Sequence, residues 1–225
     1  MSVPKKQYWL AIASVFCALV LAVPANSNVL PALSYDPVRD FSAGSNPNGA
    51  WSYGWTSAVT TGNVLNLYAD IDSFSVAGMS AWHGPTPYTG GPPFIAHNDT
   101  DAAVCAHSYC VAPDELQLVP GFGATRTVLR WTAPIAGRVI INVTFRGEDN
   151  VGPINADVHV LLNTHKAIVS GQLSDQSPLS FVLMLKVAAG DTIDFAVGND
   201  GTGNPAFDST GIKGTITLDP CGPCA

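Results

Sequence analysis

The most regular pattern lies in the second half of the chain, where short apolar-rich segments are separated by turn residues. Thr127-Val-Leu-Arg-Trp-Thr stops at Ala133-Pro134, and Arg138-Val-Ile-Ile-Asn-Val-Thr-Phe stops at Gly147-Glu-Asp-Asn. Asp157-Val-His-Val-Leu-Leu and Ala167-Ile-Val-Ser, joined through Asn163-Thr-His, form the clearest hairpin signal. Residues 179–187, 192–197 and 211–218 continue the series. Such β-branched and alternating runs suit a half-buried pleated surface. No segment after the N-terminal apolar run keeps a 3.6-residue apolar period for three turns. The spacing predicts an all-β fold, a single antiparallel β-sandwich of jelly-roll type.

The first half is less regular. Trp51-Ser-Tyr-Gly-Trp and Val64-Leu-Asn-Leu-Tyr read as strands, whereas residues 79–113 read as one long loop rich in Gly, Pro and aromatics. Loops of that length are usually functional or disordered. No solenoid or propeller period appears. One domain is expected, over residues 26–218, followed by a cysteine-containing tail at 219–225.

The N-terminus reads differently. Lys5 and Lys6 precede an apolar run from Trp9 to Val23 that ends at Pro24-Ala25. A basic start, a short apolar stretch and small residues at the end describe a secretory signal peptide, residues 1–25, and the run is short for a membrane span. The expected location is secreted, with no membrane attachment after cleavage. Composition agrees. Of 225 residues, 47% are hydrophobic and only 12% charged, with 21 Gly and 17 Pro. That excludes coiled coil and charge-rich disorder. The formal net charge is −7, and loss of Lys5 and Lys6 makes the chain more acidic still. Scattered cations are a poor match for a phosphate backbone, so nucleic acid is not an expected partner. Without Cys17 of the leader, Cys105, Cys110, Cys221 and Cys224 remain. Three pairings are open, of which the local ones, Cys105 with Cys110 and Cys221 with Cys224, are expected.

Several short motifs occur in a characteristic order: Asp40-Phe-Ser, Asn46-Pro-Asn-Gly, Trp51-Ser-Tyr-Gly, Arg130-Trp-Thr-Ala-Pro, Asp157-Val-His-Val-Leu-Leu-Asn, Ala189-Gly-Asp-Thr-Ile-Asp-Phe-Ala-Val-Gly and Asp208-Ser-Thr-Gly. In this combination the chain resembles secreted bacterial β-sandwich proteins, many of which end in a PEP-CTERM sorting tail. The resemblance covers roughly residues 36–218. It implies an exported jelly-roll module without an established catalytic role, similar in pattern to galactose-binding-like and carbohydrate-binding modules. The ending Asp219-Pro-Cys-Gly-Pro-Cys-Ala departs from a sorting tail, which points to free secretion.

Candidate chemistry is sparse. Cys221-Gly-Pro-Cys224 spells a thioredoxin-like core, but one following residue cannot form the helix that activates the first thiol. In the 79–113 segment, Trp82, Tyr88 and Phe94 offer faces for a sugar ring, while His83, His97, Asn98 and Asp99 offer polar partners. Packing of the same aromatics against the body is the competing reading. Asp40, Asp200 and Asp208 are candidate ligands for a structural calcium, with metal-free Asx-turns as the alternative. No other cofactor is expected. Glu115 and Glu148 are the only glutamates, a thin supply for the carboxyl pair of a glycosidase. His159 reads as a hydrogen-bonded strand histidine, and Asn98-Asp-Thr and Asn142-Val-Thr have the form of glycosylation sequons. The expected partner is therefore a glycan or another cell-surface polymer bound without catalysis. A structural or adhesive protein is the alternative, and a polysaccharide hydrolase the third.

Overall fold

The computed structural model describes residues 31–57, 64–72, 76–84, 93–164 and 166–220. The expected signal peptide, Tyr88, Cys221 and Cys224 lie outside them. Every regular element described is a strand. In chain order these are β1 (Leu33–Tyr35), β2 (Trp51–Thr56), β3 (Asn66–Leu67), β4 (Asp70–Asp72), β5 (Met79–His83), β6 (Phe94–Asn98), β7 (Val104–Ala106) and β8 (Tyr109–Val111). They continue with β9 (Leu116–Val119), β10 (Arg126–Thr132), β11 (Gly137–Gly147), β12 (Ala156–Leu162), β13 (Lys166–Leu173), β14 (Leu179–Val187), β15 (Thr192–Gly198) and β16 (Thr210–Pro220).

Two antiparallel sheets form the sandwich. The larger runs β14-β11-β16-β9-β6-β5-β4, with β1 also on β16; the smaller runs β13-β12-β15-β10-β2-β3. β11 alternates strictly: Val139, Ile141, Val143 and Phe145 are buried, while Arg138, Ile140 and Asn142 are exposed. These inward residues share one core with Ile212, Ile216 and Leu218 of β16, Leu129 and Trp131 of β10, and Ile193, Phe195 and Val197 of β15. Tyr35 meets Trp131 edge to face at 5.4 Å. Full burial of each such side chain contributes about 2–3 kcal/mol.

The 79–113 segment is not one loop. β5 and β6 are central strands of the larger sheet, and β7 and β8 form a hairpin joined by the Cys105–Cys110 disulfide. Trp82 and Ile95 belong to the main core, whereas Met79, Ala81, Phe94 and Ala96 pack with Tyr109 and Val111 of the hairpin. Strands covered on both faces lose the two-residue alternation, which is why the sequence pattern hides them.

One interruption matters for function. β11 pairs with β16 over its whole length. On the other side of β16, β1 takes residues 216–218 and β9 takes residues 210–212. Residues 213–215 are left between them with no strand among the described residues on that side, so the larger sheet carries a notch.

Candidate functional site

The notch opens into a surface cleft of about 540 Å³. Asn142 and Thr144 of β11, with Gly214 and Thr215 of β16, line its floor. One wall comes from the turn after β1, through Asp36, Val38 and Arg39; the other comes from Pro113 and Asp114 before β9, with Lys213 alongside. Asn142 and Thr215 face solvent because they hold outward positions opposite one another in the β11–β16 register. Beneath the floor, Trp51, Val143, Phe195 and Ile216 fill the interior.

The motif residues near the N-terminus build the first wall. Asp40 accepts hydrogen bonds from the Asp36 amide at 2.9 Å, the Arg39 guanidinium at 2.7 Å and the Trp51 indole N–H at 3.3 Å. Asn48 donates to the Asp40 carbonyl at 2.9 Å, and Asn46 donates to the carbonyls of Tyr53 and Tyr68. Burial pushes the Asp40 carboxyl up, but these donors outweigh it and hold it below the ordinary aspartate value. Asp40→Ala is expected to cost about 2 kcal/mol, because one backbone and two side-chain donors lose their acceptor. A drop in melting temperature with unchanged β-sheet circular dichroism is the readout.

The second wall is fixed by the Lys213–Asp114 ion pair at 2.8 Å, which lowers the Asp114 pKa. Lys213 is thus paired with Asp114 and Arg39 with Asp40, Asp36 accepts the Val38 and Arg39 amides, and the floor offers a neutral amide and hydroxyls.

Behind that wall lies a buried polar cluster. Arg146 chelates Glu115 through Nε at 3.1 Å and Nη2 at 2.5 Å. Both glutamates press on Gly211: Glu115 Oε2 and Glu148 Oε1 lie 2.7 and 3.0 Å from the point where its Cβ would stand. Glu148 is 0% exposed and lies beside Gln117, and among the described residues the polar atoms of the two side chains have no well-formed hydrogen bond. Burial, followed by the neighbouring Glu115 charge, drives Glu148 well above the usual glutamate range. A neutral acid beside an amide is the complementary arrangement, each offering one donor and one acceptor. The two glutamates thus meet, as a glycosidase pair would, but at 3% and 0% exposure they lie under the surface.

The residues expected to bind ligand are placed otherwise. Trp82 and Phe94 are 6% and 4% exposed, and the Trp82 indole donates to the Ser42 carbonyl at 2.7 Å. Their faces are inside the protein, so they do not form a surface platform. His83 is buried. Asn98 is buried too: its amide donates to the carbonyls of Ala102 and Val111, tying β6 to the disulfide hairpin. That use of its nitrogen is incompatible with glycosylation of the folded chain. His97 stacks on Phe41 and bonds Asp99 at 2.7 Å, which also accepts from Ser80. These two remain partly exposed.

The calcium candidates are not gathered at one point. Asp40 serves the wall just described, Asp200 accepts from Gln172, and Asp208 accepts from the Asn155 amide. Among the described residues no three His, Cys, Asp or Glu side chains are grouped to hold a metal ion.

The cleft residues Asn142, Thr144 and Thr215 were not singled out as binding residues by their sequence. Their outward positions were readable from strand alternation. The gap between β1 and β9 was not, since it depends on where two distant segments stop pairing.

No known protein family matches the chain, and no curated protein matches it. Among solved structures it is similar to CBM51 from Clostridium perfringens GH95 in complex with methyl-galactose, at 12% identity and a TM-score of 0.37, over 61% of this chain and 92% of that one. It is also similar to the family 35 carbohydrate binding module from Clostridium thermocellum, at 11% identity and a TM-score of 0.30, over 46% and 77% of the two chains. These neighbours are β-sandwich carbohydrate-binding modules. Likeness at these scores carries no argument about ligand or site.

Proposed function

We propose that the protein is an extracellular module that binds a polyhydroxylated polymer, a glycan, in the cleft over Gly214. The observation that supports this reading is the notch itself: residues 213–215 of β16, with no described strand on their outer side, lie beside Asn142 and Thr144 between walls that carry charges of both signs. Sugar hydroxyls need several neutral donors and acceptors in fixed places, and the floor supplies them. Among the described residues no aromatic side chain lines the cleft, so hydrogen bonding rather than ring stacking would carry affinity. The Cys105–Cys110 disulfide supports an oxidising, extracellular setting. Binding without turnover fits a cleft whose neighbouring acid pair is sealed beneath it.

The test is a polysaccharide and glycan-array screen of the purified protein, followed by affinity measurement on Asn142→Ala and Thr215→Ala. Each is expected to weaken binding about tenfold, the loss of one or two hydrogen bonds, with little change in melting temperature. Binding that is unaffected by both substitutions rejects the cleft as the site.

A structural or adhesive role has one observation in its favour. On edge strand β14, Val182 and Met184 are 70% and 75% exposed. A screen with no glycan hit on folded protein would move the reading to that alternative.

A further inference from the structure

On the opposite face of the sandwich, three side chains of the smaller sheet are linked in a row. Ser170 Oγ lies 2.7 Å from His159 Nδ1, and His159 Nε2 lies 2.7 Å from Asp157 Oδ2. The register produces this arrangement: His159 and Ser170 are directly opposed on β12 and β13, and Asp157 is two residues from His159 on the same face. We infer that Ser170, His159 and Asp157 form a nucleophilic serine site that attacks carboxylic esters.

Four features carry the inference. First, the order is serine, then base, then carboxylate, which is the order that activates a hydroxyl. Second, the carboxylate is fixed. Asp157 accepts from the Asp200 amide at 2.7 Å and is ion-paired with Arg126, so it stays ionised and in place. Burial pushes its pKa up, but the bonds from His159, the Asp200 amide and the Arg126 charge together lower it. An ionised Asp157 accepts the Nε2 proton, which leaves Nδ1 free to take the proton of Ser170. The ring nitrogens exchange the roles they have in the serine proteases, with the same proton logic.

Third, β13 is an edge strand, paired with β12 alone among the described strands. Alternate backbone N–H groups along it therefore point outward, at Ser170 or at the residues beside it. Such donors are what a developing oxyanion requires. Fourth, the β12–β13 ladder shifts register between Val160 and Leu161, one residue pair away from His159 and Ser170. Bulges of this kind are over-represented beside active sites, where they re-aim side chains. Ser170 is exposed, so a substrate can reach it.

In the proposed reaction, the Ser170 oxygen forms a bond to the ester carbonyl carbon while His159 Nδ1 takes the hydroxyl proton. The carbon–alkoxide bond then breaks, and His159 returns that proton to the leaving alcohol. Water, deprotonated by His159 Nδ1, forms a bond to the acyl carbon; the bond from that carbon to Ser170 Oγ then breaks, His159 returns the proton to Ser170, and the acid leaves. No oxidant, reductant or metal is needed. This site is independent of the cleft over Gly214, and glycan binding bears on neither its success nor its failure.

The experiment treats the folded wild-type protein with a fluorophosphonate probe, locates the label by peptide mass spectrometry, and follows p-nitrophenyl acetate release. Ser170 is expected to carry the label, and Ser170→Ala to abolish both signals. His159→Gln is expected to lower both rates by about 10²-fold or more, and Asp157→Asn to lower them through the wrong histidine tautomer. Circular dichroism confirms that each variant is folded, and Ser170→Ala removes only an exposed hydroxyl. Absence of label on Ser170 in the folded wild type overturns the inference. So does labelling that proceeds equally fast without His159, because a merely structural relay would give that result.

Discussion

Raising the pH from 4.5 to 8 is expected to destabilise the folded chain by about 2 kcal/mol or more. Asp208 is buried, and burial is the main reason its pKa rises to about 6, with Asp149, Asp157 and Asp200 adding to the rise and the Asn155 amide opposing it. Glu148 is raised further by burial and by Glu115. An acid whose folded pKa lies above its unfolded one holds its proton more tightly in the folded state. Its contribution is complete below the unfolded value of about 4 and is lost as pH climbs through the folded value. For Asp208 that window closes near pH 7, and the raised Glu148 acts in the same direction. At about 1.4 kcal/mol for each pKa unit, the Asp208 share alone accounts for roughly 2 kcal/mol between pH 4.5 and 8. Asp40, Asp114 and Asp157 act in the opposite sense, since their pKa values are lowered. They remove stability only as pH falls below about 4. Urea melts across the range measure the effect. Asp208→Asn keeps an acceptor for the Asn155 amide and is expected to gain about 2 kcal/mol at pH 8. A wild-type profile that is flat or rises toward pH 8 contradicts the burial argument.

Gly214→Ala is expected to cost about 3 kcal/mol and to abolish cleft binding. A Cβ at this position would fall inside contact distance of the Asn142 carbonyl oxygen and 2.9 Å from the Val143 Cα, both backbone of β11. The residue also has a φ of 156°, which side chains rarely adopt. Backbone cannot swing aside as a flexible side chain can, so β16 must move away from β11 where the cleft floor is formed. Gly84→Ala is the control, because among the described residues nothing lies within 4 Å of its Cβ position, and it is expected to be neutral. Equal stability of the two variants would show that β11 and β16 have slack at the notch.

The strands of the second half were legible because each has one covered face, so β11 shows its alternation openly. β5 and β6 were not, because the disulfide hairpin covers the face that would otherwise be polar. The same covering explains the aromatics. Trp82 and Phe94 read as a platform when their neighbours were taken for loop, whereas within two packed strands they are core. Asp40 is the converse case: an acidic residue that read as a metal ligand is consumed by backbone and indole donors. His159 was read as a hydrogen-bonded strand residue, and it is one. Its cross-strand partner Ser170 could not be named, because a bulge sets the pairing and leaves no mark in composition. The meeting of Glu115 with Glu148 likewise depends on β9, β11 and β16 converging at Gly211.

The cleft is tested most directly by nuclear magnetic resonance. A ¹⁵N-labelled sample would be titrated with a soluble oligosaccharide taken from the strongest array hit. Saturable shifts are expected at the amides of Asn142, Lys213, Gly214 and Thr215 and at the Asn142 side chain, with the Trp82 and Phe94 region unmoved. Saturable shifts confined to residues elsewhere, or none at millimolar ligand, would contradict binding in the cleft.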